Sequence, residues 1–348
     1  MAYQSGQVSS FANLQTEIES FLVAQGYTNI SGVLTKAGVP EIHMQFNGSL
    51  TDYLQLTMGR SSSGATLLEK HPGGTSDYES VFMVDDYQQA GVIVWPINYF
   101  FHYVNSPVEG FWCFIEYNSG RCQHIGFGML DKATNYEGGV YIDGQFGVSA
   151  HSTAYRTHGG NHFELWNANP NANPGSKSHN PIPFMGHFSS TASDGNHPPC
   201  TILWAALNGM GWWNSGATEL GVGSPYLGSE YDNLDAPASA ELLMRPDLAA
   251  QQELQEIIRP FNSNNSLVPI KIMLTQPVNE ARFRAGDVYD MRYTLNRDLN
   301  FGDIMDDGTD KWKVYPVFLK GQQEDAIFTS RYLVDSGWLA LAVRYDGP

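Results

Sequence analysis

Apolar and polar residues alternate along many stretches of this chain, and a period of two predicts β-strands with one buried face. The clearest stretch is 311–316, where apolar Trp312 and Val314 alternate with two lysines. The preceding residues 306–309 predict a tight turn, because the glycine in this segment accepts a positive φ. Residues 336–347 are a further β-prone run that is able to pair back on 311–316.

Three neighbouring runs, 99–104, 111–117 and 121–130, predict an antiparallel meander, because short turn-forming segments separate them. The middle run carries large apolar side chains at odd and at even positions, so we expect most of this strand to be covered on both faces. Further strand-like runs occupy 41–48, 52–60, 78–86 and 268–277. Together these runs predict a mainly β protein with a few helices (an α+β fold), in which antiparallel sheets form a sandwich.

One capped helix is predicted at residues 11–24. Ser9 or Ser10 is placed to cap its first turn, and Gly26 lies where a helix is commonly terminated by a glycine. The helix presents one apolar face formed by Leu14, Ile18, Phe21 and Leu22.

Two shorter helical segments are predicted nearer the C-terminus. A weak apolar stripe at 247–258 predicts a short helix that Pro260 ends. Residues 241–244 form a candidate helical turn, which the following Arg245-Pro246 would end.

Composition divides the chain into three parts: a helix plus antiparallel β domain at 1–150, a loop-rich excursion at 151–200, and a β-rich part at 201–348 that either stands alone or continues the first domain. Asn, Pro, Gly, Ser and His dominate the excursion, and 167–174 is a tandem Asn-Ala-Asn-Pro repeat. Such a long irregular segment is usually functional or disordered. We interpret it as a surface segment that contacts a neighbouring molecule, with a solvated loop as the alternative.

Charge and composition exclude two classes of partner. The chain has 348 residues, 16% of them charged, and a formal net charge of −17. Binding to nucleic acid needs Lys and Arg to neutralise phosphates, so neither nucleic acid nor an anionic membrane surface is expected as a partner. A β-rich chain with many aromatic residues and few charges often hides part of its surface in an assembly, and one large sandwich is the alternative.

Three cysteines provide no disulfide framework and predict folding in a reducing cytoplasm. Cys113 and Cys122 flank a predicted hairpin turn, where a two-residue loop would place Cys113 opposite Gly126, so no bridge is expected. The first residues lack the basic start and apolar run of a signal peptide. The longest apolar run, 91–104, is interrupted by Pro96 and is too short to span a bilayer.

Histidines in the excursion are the candidates for a metal site. His158 and His162 are four residues apart, a spacing that places two imidazoles on one helix face. Gly159 and Gly160 lie between them and disfavour a helix, so the pair is a weak candidate. Histidines that form hydrogen bonds at subunit contacts are the alternative.

The sequence carries no catalytic motif, so we expect a protein that is not an enzyme and needs no cofactor. It has no nucleophile elbow, phosphate-binding glycine loop or HExxH zinc motif. Adjacent aspartates at 85–86 and 306–307 do not form the separated carboxyl pair that a glycosidase needs. Asp306, Asp307 and Asp310 lack the ligand spacing of an EF-hand calcium loop.

Aromatic and histidine residues in and after the excursion are candidates for contacts in an assembly. The candidates are Trp166, His179, Phe184, His187, Trp212 and Trp213. For Trp212 and Trp213 we favour packing in a core or an interface, and stacking on sugars is the alternative.

Three segments resemble one family of tailed-bacteriophage virion proteins. The first is the opening MAYQSGQVSSFANLQTEIESFLVAQGYT, and the second is FIEYNSGRCQHIGFGMLDKATNYEGGVY at 114–141, with its GFG and Gly-Gly steps. The third is the end of the chain, with VYDMRYTLNRDLNFGDIMDDGTDKWKVYPVFLK at 288–320 and SGWLALAVRY at 336–345. Residues 151–259 depart most from the family.

The resemblance implies a structural protein of the phage tail region, such as a baseplate, collar or neck, or fibre-anchoring subunit. Its partners would be copies of itself, as a trimer or hexamer, and other tail or neck proteins. It would be made in the cytoplasm of the host bacterium and reside in the virion. A capsid decoration protein, or a receptor protein of the tail fibre that binds host glycans, are the alternatives.

Overall fold

The computed structural model of this protein describes residues 1–48, 53–71, 78–83, 95–117, 121–144, 146–148, 180–182, 186–188, 201–207, 210–214, 243–246, 267–276, 281–295, 299–316 and 339–347. One α-helix and 23 strands lie in these ranges, and all strand pairs except one are antiparallel, so the predicted antiparallel sheets are confirmed.

The N-terminal half contains the helix and thirteen of the strands. In chain order they are β1 (Ala2–Val8), α1 (Phe11–Ala24), β2 (Thr28–Ile30), β3 (Val33–Lys36), β4 (Val39–Gly48), β5 (Tyr53–Ser63), β6 (Thr66–Lys70), β7 (Tyr78–Met83), β8 (Ile97–Val104), β9 (Gly110–Tyr117), β10 (Arg121–Met129), β11 (Asp131–Lys132), β12 (Gly138–Gly144) and β13 (Phe146–Val148).

The remaining strands lie in the C-terminal half. They are β14 (Asn180–Ile182), β15 (Gly186–Phe188), β16 (Thr201–Leu207), β17 (Met210–Asn214), β18 (Leu243–Pro246), β19 (Val268–Gln276), β20 (Ala281–Leu295), β21 (Ile304–Asp306), β22 (Lys311–Pro316) and β23 (Leu339–Tyr345).

The strands form a large sheet, a smaller sheet and an isolated pair. The 14-stranded sheet has the order β1-β8-β9-β10-β12-β16-β17-β18-β19-β20-β23-β22-β21, with β11 paired to β20. The seven-stranded sheet has the order β13-β7-β5-β4-β3-β2, with β6 paired to β5, and β14 pairs with β15 alone. Strands from 1–150 and from 201–348 therefore lie in the same sheet.

Helix α1 begins and ends where the sequence predicts. The hydroxyl of Ser10 accepts a hydrogen bond from the backbone N–H of Asn13 at 3.1 Å, which identifies Ser10 as the N-cap. Gly26 follows the C-cap residue with a φ of 93°, a conformation that glycine adopts without strain. The four predicted apolar side chains of the helix are buried, as is Phe11.

One face of the large sheet packs against α1 and the seven-stranded sheet. The ring of Phe21 in α1 lies 5.4 Å from that of Phe101 in β8, measured between centroids. Phe46 of β4 lies 6.4 Å from Phe111 of β9. All four rings are buried, so the helix and the small sheet both cover the meander, and the two sheets form the predicted sandwich.

The opposite face of the meander packs against the last strands of the same sheet. Phe114 of β9 stacks on Tyr315 of β22, with centroids 3.9 Å apart and ring planes 6° from parallel. In the order of the large sheet, β9 and β22 stand near opposite ends. The sheet therefore curls back on itself and buries the second face of β9. This confirms the prediction that most of this strand is covered on both faces.

The predicted meander is confirmed, with one correction to its register. β8, β9 and β10 pair antiparallel in sequence, and Tyr117 pairs with Arg121. The turn thus leaves three residues between the paired positions instead of two, and Cys113 lies opposite Ile125 instead of Gly126. Cys113 is buried and free, and burial raises the pKa of its thiol.

Two strands differ from the sequence prediction. β1 was not predicted, because its sequence AYQSGQV lacks apolar alternation; it pairs with β8 in unbroken register from Ala2 opposite Tyr103. Residues 243–246 form β18 instead of a helical turn, because pairing with β19 satisfies their backbone groups. The predicted helix at 247–258 lies outside the described residues.

Candidate functional site

The structure places few of the predicted assembly contacts. Trp166, His179 and Phe184 lie outside the described residues, as do the metal candidates His158 and His162. His187 lies in β15, opposite Pro181. Trp212 and Trp213 lie in β17, opposite Trp204 and Leu203 of β16. The structure thus puts His187 and the two tryptophans in separate sheets.

The two ends of the chain meet at a cluster that we call the terminal junction, formed by Tyr3, Phe100, His102, Lys313, Tyr315 and Tyr345. The ring of Tyr3 in β1 lies 4.9 Å from that of Tyr345 in β23, edge to face. The ammonium of Lys313 lies 5.0 Å from the centroid of Tyr3 and 4.8 Å from that of Tyr345, within the range of a cation–π contact. First and last strands are therefore held together by side chains.

A buried histidine links the junction to the meander. Nε2 of His102 lies 2.6 Å from the Tyr315 hydroxyl, and Nδ1 lies 3.3 Å from the carbonyl oxygen of Arg344. A carbonyl only accepts, so we assign the proton to Nδ1, and Nε2 accepts from Tyr315. Burial lowers the pKa of His102 to about 3, so this imidazole is neutral at physiological pH and acts as a fixed hydrogen-bonding link.

The GFG step of β10 makes room for two large rings. A Cβ on Gly126 would overlap the indole of Trp112, and a Cβ on Gly128 would lie 2.5 Å from the hydroxyl of Tyr141. Trp112 and Tyr141 are fully buried and stack with centroids 5.9 Å apart. The two glycines therefore serve packing, because only a missing side chain lets the rings cross this strand.

These rings surround a buried carboxyl group. The indole N–H of Trp112 donates to Oδ2 of Asp290 at 2.9 Å, and Asp290 is 2% exposed. A Cβ on Gly110 would lie 2.5 Å from the same oxygen, so a third glycine also makes room for it. Burial raises the pKa of Asp290 to about 6, and the hydrogen bond from Trp112 opposes that shift.

Replacing Asp290 with asparagine should change how stability depends on pH. Because the pKa of Asp290 rises from 3.8 to about 6 on folding, the native state holds this proton more tightly than the unfolded state. The protonated Asp290 therefore contributes about 3 kcal/mol to the free energy of unfolding. This contribution is fully present below pH 3.8 and is lost as pH rises through 6. Urea unfolding at pH 4 and pH 7 should therefore show wild type losing about 2 kcal/mol relative to Asp290→Asn, because pH 4 lies just above the unfolded pKa.

The matched control for this test is Asp307→Asn, which should change in the opposite direction. Backbone N–H groups of Asp310 and Thr309 and the indole of Trp312 lower the pKa of Asp307. Its stabilisation is therefore present at neutral pH and is lost on acidification. A difference between wild type and Asp290→Asn that stays constant from pH 4 to pH 7 would contradict the assignment.

A second buried polar group resembles a catalytic triad in composition only. Nε2 of His124 lies 2.8 Å from Oδ2 of Asp143, and the hydroxyl of Thr201 donates to Oδ1 of the same carboxylate. In a triad the histidine bridges acid and nucleophile. In this protein the aspartate is the bridge and all three side chains are buried, so the hydroxyl is not activated by the imidazole and the group joins β10, β12 and β16.

The third buried polar group contains an ion pair beneath α1. Nζ of Lys36 lies 2.9 Å from Oε1 of Glu109, whose side chain is 6% exposed. The hydroxyl of Tyr27 donates to the same oxygen at 2.9 Å, and the Tyr103 hydroxyl donates there as well. Burial and the charge of Glu109 raise the pKa of Tyr27, and burial and the hydrogen bond to Glu109 raise that of Tyr103, so both hydroxyls stay protonated. They donate hydrogen bonds to the carboxylate, and the ammonium of Lys36 balances its charge.

The aspartates of 306–310 stabilise their own turn. Oδ1 of Asp307 accepts the backbone N–H groups of Thr309 at 2.9 Å and Asp310 at 2.8 Å. Its second oxygen accepts the indole N–H of Trp312 at 3.0 Å, and Asp310 accepts from Arg344 at 3.0 Å. The predicted turn is confirmed, and these carboxylates act as turn and strand contacts.

Two further kinds of site are absent from the described ranges. No group of three or more His, Cys, Asp or Glu side chains there is arranged to hold a metal ion. Among the same residues, no helix combines the length and the apolar character needed to cross a bilayer.

No protein-family model and no curated protein matches this chain. The resemblance to phage virion proteins therefore stays a prediction drawn from the motifs.

Sequence reasoning missed three buried acids, Asp143, Asp290 and Glu109. Asp290 and Glu109 each look like an ordinary polar residue in or beside a strand. A sequence pattern that could have indicated their burial is an acid beside a glycine-containing strand rich in Tyr and Trp. The side chains of Tyr and Trp supply hydrogen-bond donors to a buried carboxylate. That signal is weak until the sheet order shows which strands are neighbours.

Proposed function

We propose that this protein is a structural subunit of the tail region of a bacteriophage virion and acts by assembly with copies of itself and with other tail or neck proteins. The observation that carries the proposal is that the three resembling segments contact one another. Tyr3 of the first segment packs on Tyr345 of the third, and Phe114 of the second stacks on Tyr315 of the third. The motifs thus form one packed framework.

The buried polar groups support the same proposal. His102, Asp143, Asp290 and Glu109 each form a hydrogen bond with a side chain far away in the sequence: Tyr315, Thr201, Trp112 and Tyr27, respectively. Such contacts orient strands relative to one another, which is what a mechanically rigid particle component requires. Each of these side chains is at most 6% exposed, so their groups are directed at the interior.

Labelling the C-terminus and locating the label on particles by electron microscopy tests the proposed station. We expect a ring of label at the neck or at the tail tip. Label over the whole head would identify the protein as a capsid decoration protein. Mature particles without label would show that the protein is not part of the virion.

Deleting residues 165–198 tests the role of the loop-rich excursion. We expect the deletion variant, closed by a short Gly-Ser linker, to keep its β-sheet circular dichroism but to be lost from particles. The reason is that this segment is expected to contact a neighbour, whereas the large sheet is built from strands outside it. Incorporation at wild-type level would contradict an assembly role for the segment.

A further inference from the structure

Among the described strands that end the two larger sheets, only β1 is long. It has seven residues, whereas β21, β2 and β13, which end the sheets elsewhere, have three each. An edge strand exposes a row of backbone N–H and C=O groups on its free side, and proteins commonly protect it by shortening it or by placing Lys, Pro or a bulge on it.

β1 carries none of these protections. Its sequence AYQSGQV has no charged residue and no proline, and its pairing with β8 runs from Ala2 to Val8 without a bulge. Among the described strands it pairs only with β8, so no described strand occupies its second edge.

The strand is also held rigidly on both faces. Tyr3 packs in the terminal junction, and the side chain of Gln4 donates to the Tyr99 hydroxyl at 2.9 Å and to Glu17 of α1 at 3.2 Å. Val8 is buried, while Ser5 and Gln7 are exposed. An edge that is fixed before binding loses little conformational entropy when a partner strand adds to it.

We propose that β1 pairs antiparallel with β1 of a second copy of this chain across a two-fold axis. The whole chain carries a net charge of −17, so two copies repel each other overall, but this strand has no charged side chain. Full overlap of Ala2 to Val8 places Ser5 opposite Ser5, where small side chains let the copies approach. The inference rests on, and deepens, the proposed assembly function, because it identifies the surface that joins two copies.

A two-fold contact constrains the symmetry of the assembly. Such an interface is isologous and joins pairs of chains. A hexamer that uses it has dihedral symmetry and contains three such pairs, whereas a simple three-fold trimer does not contain it.

The test is the mass of the full chain in solution, measured by light scattering and native mass spectrometry. We expect wild type to contain an even number of copies, and the variant Ser5→Lys/Gln7→Lys to contain half that number, with at least a tenfold weaker dissociation constant. Thr28→Lys, on the short edge strand β2, is the control and should keep the wild-type mass. A monomeric wild type, or lysine variants of wild-type mass with unchanged circular dichroism, would overturn the proposal.

A second measurement applies if the lysine variant does not fold. Ser5→Cys should form a covalent dimer with a short thiol-to-thiol cross-linker, whereas wild type and Thr28→Cys should not. Absence of that dimer also overturns the pairing. Loss of pairing in a protein that still enters particles leaves the proposed function intact, and pairing in a protein absent from particles overturns only the proposed function.

Discussion

Replacing Gly126 with alanine is expected to lower the free energy of unfolding by about 3 kcal/mol. The added Cβ would overlap the indole of Trp112 and lie 2.7 Å from the carbonyl oxygen of Phe111. The backbone of β9 cannot move away without disturbing its pairing with β8 and β10. The indole cannot move without lengthening its 2.9 Å hydrogen bond to Asp290. Urea unfolding followed by circular dichroism measures the loss.

Gly144→Ala is the matched control, on the neighbouring strand β12. There the nearest atom to an added Cβ is Cγ1 of Ile125 at 3.2 Å, a tight contact that a shift of a few tenths of an ångström relieves, whereas at Gly126 the nearest atom lies at 2.3 Å. We expect this change to cost less than about 1 kcal/mol. Equal losses for the two variants would show that the close approach of Trp112 to Gly126 does not limit stability. Gly126→Ala combined with Trp112→Leu should recover part of the loss, because the smaller side chain removes the overlap.

Replacing Glu109 with alanine is expected to destabilise the protein by about 3–5 kcal/mol, because it leaves a largely buried ammonium without its partner. The Lys36 side chain is only 18% exposed, so water could not fully hydrate its ammonium group once the carboxylate is gone. The hydroxyls of Tyr27 and Tyr103 would lose their acceptor at the same time. The measurement is the free energy of unfolding in urea at pH 7.

Glu137→Ala is the control for this experiment, since Glu137 also forms an ion pair. Its carboxylate lies 3.1 Å from the guanidinium of Arg60, but its side chain is 63% exposed. An exposed pair contributes about 1 kcal/mol or less, so this loss should be small. A similar loss for the two variants would contradict the difference in burial. Replacing Lys36 and Glu109 together with Met and Leu should cost less than Glu109→Ala alone, because no charge is then left buried.

Several features of the fold could be predicted from the sequence because they depend on neighbouring residues. The limits of α1, its Ser10 cap and Gly26 follow from rules that act within one or two turns. The strand at 311–316 and the turn before it follow from a period of two and from a single glycine. The meander was predicted for the same reason. The predicted register of its second hairpin was wrong by one residue, because the turn has three residues instead of two.

The buried polar groups were not predicted, because they depend on which strands become neighbours. Trp166, His179 and Phe184, proposed as assembly contacts, lie outside the described residues and stay predictions. The sequence assigned no element to 2–8, although β1 occupies an edge of the large sheet; pairing with the apolar strand β8 supplies the stability that its own polar residues lack.

The sequence by itself determined the β-rich class, the capped helix, the acidic charge and the segments that resemble phage virion proteins. Only the tertiary structure decided that the sheet curls so that Phe114 meets Tyr315, that Asp290 is buried against Trp112, and that no described strand pairs with the second edge of β1. The physical reason is that hydrophobic periodicity specifies which face of a strand is buried, whereas strand order depends on contacts between residues far apart in the chain.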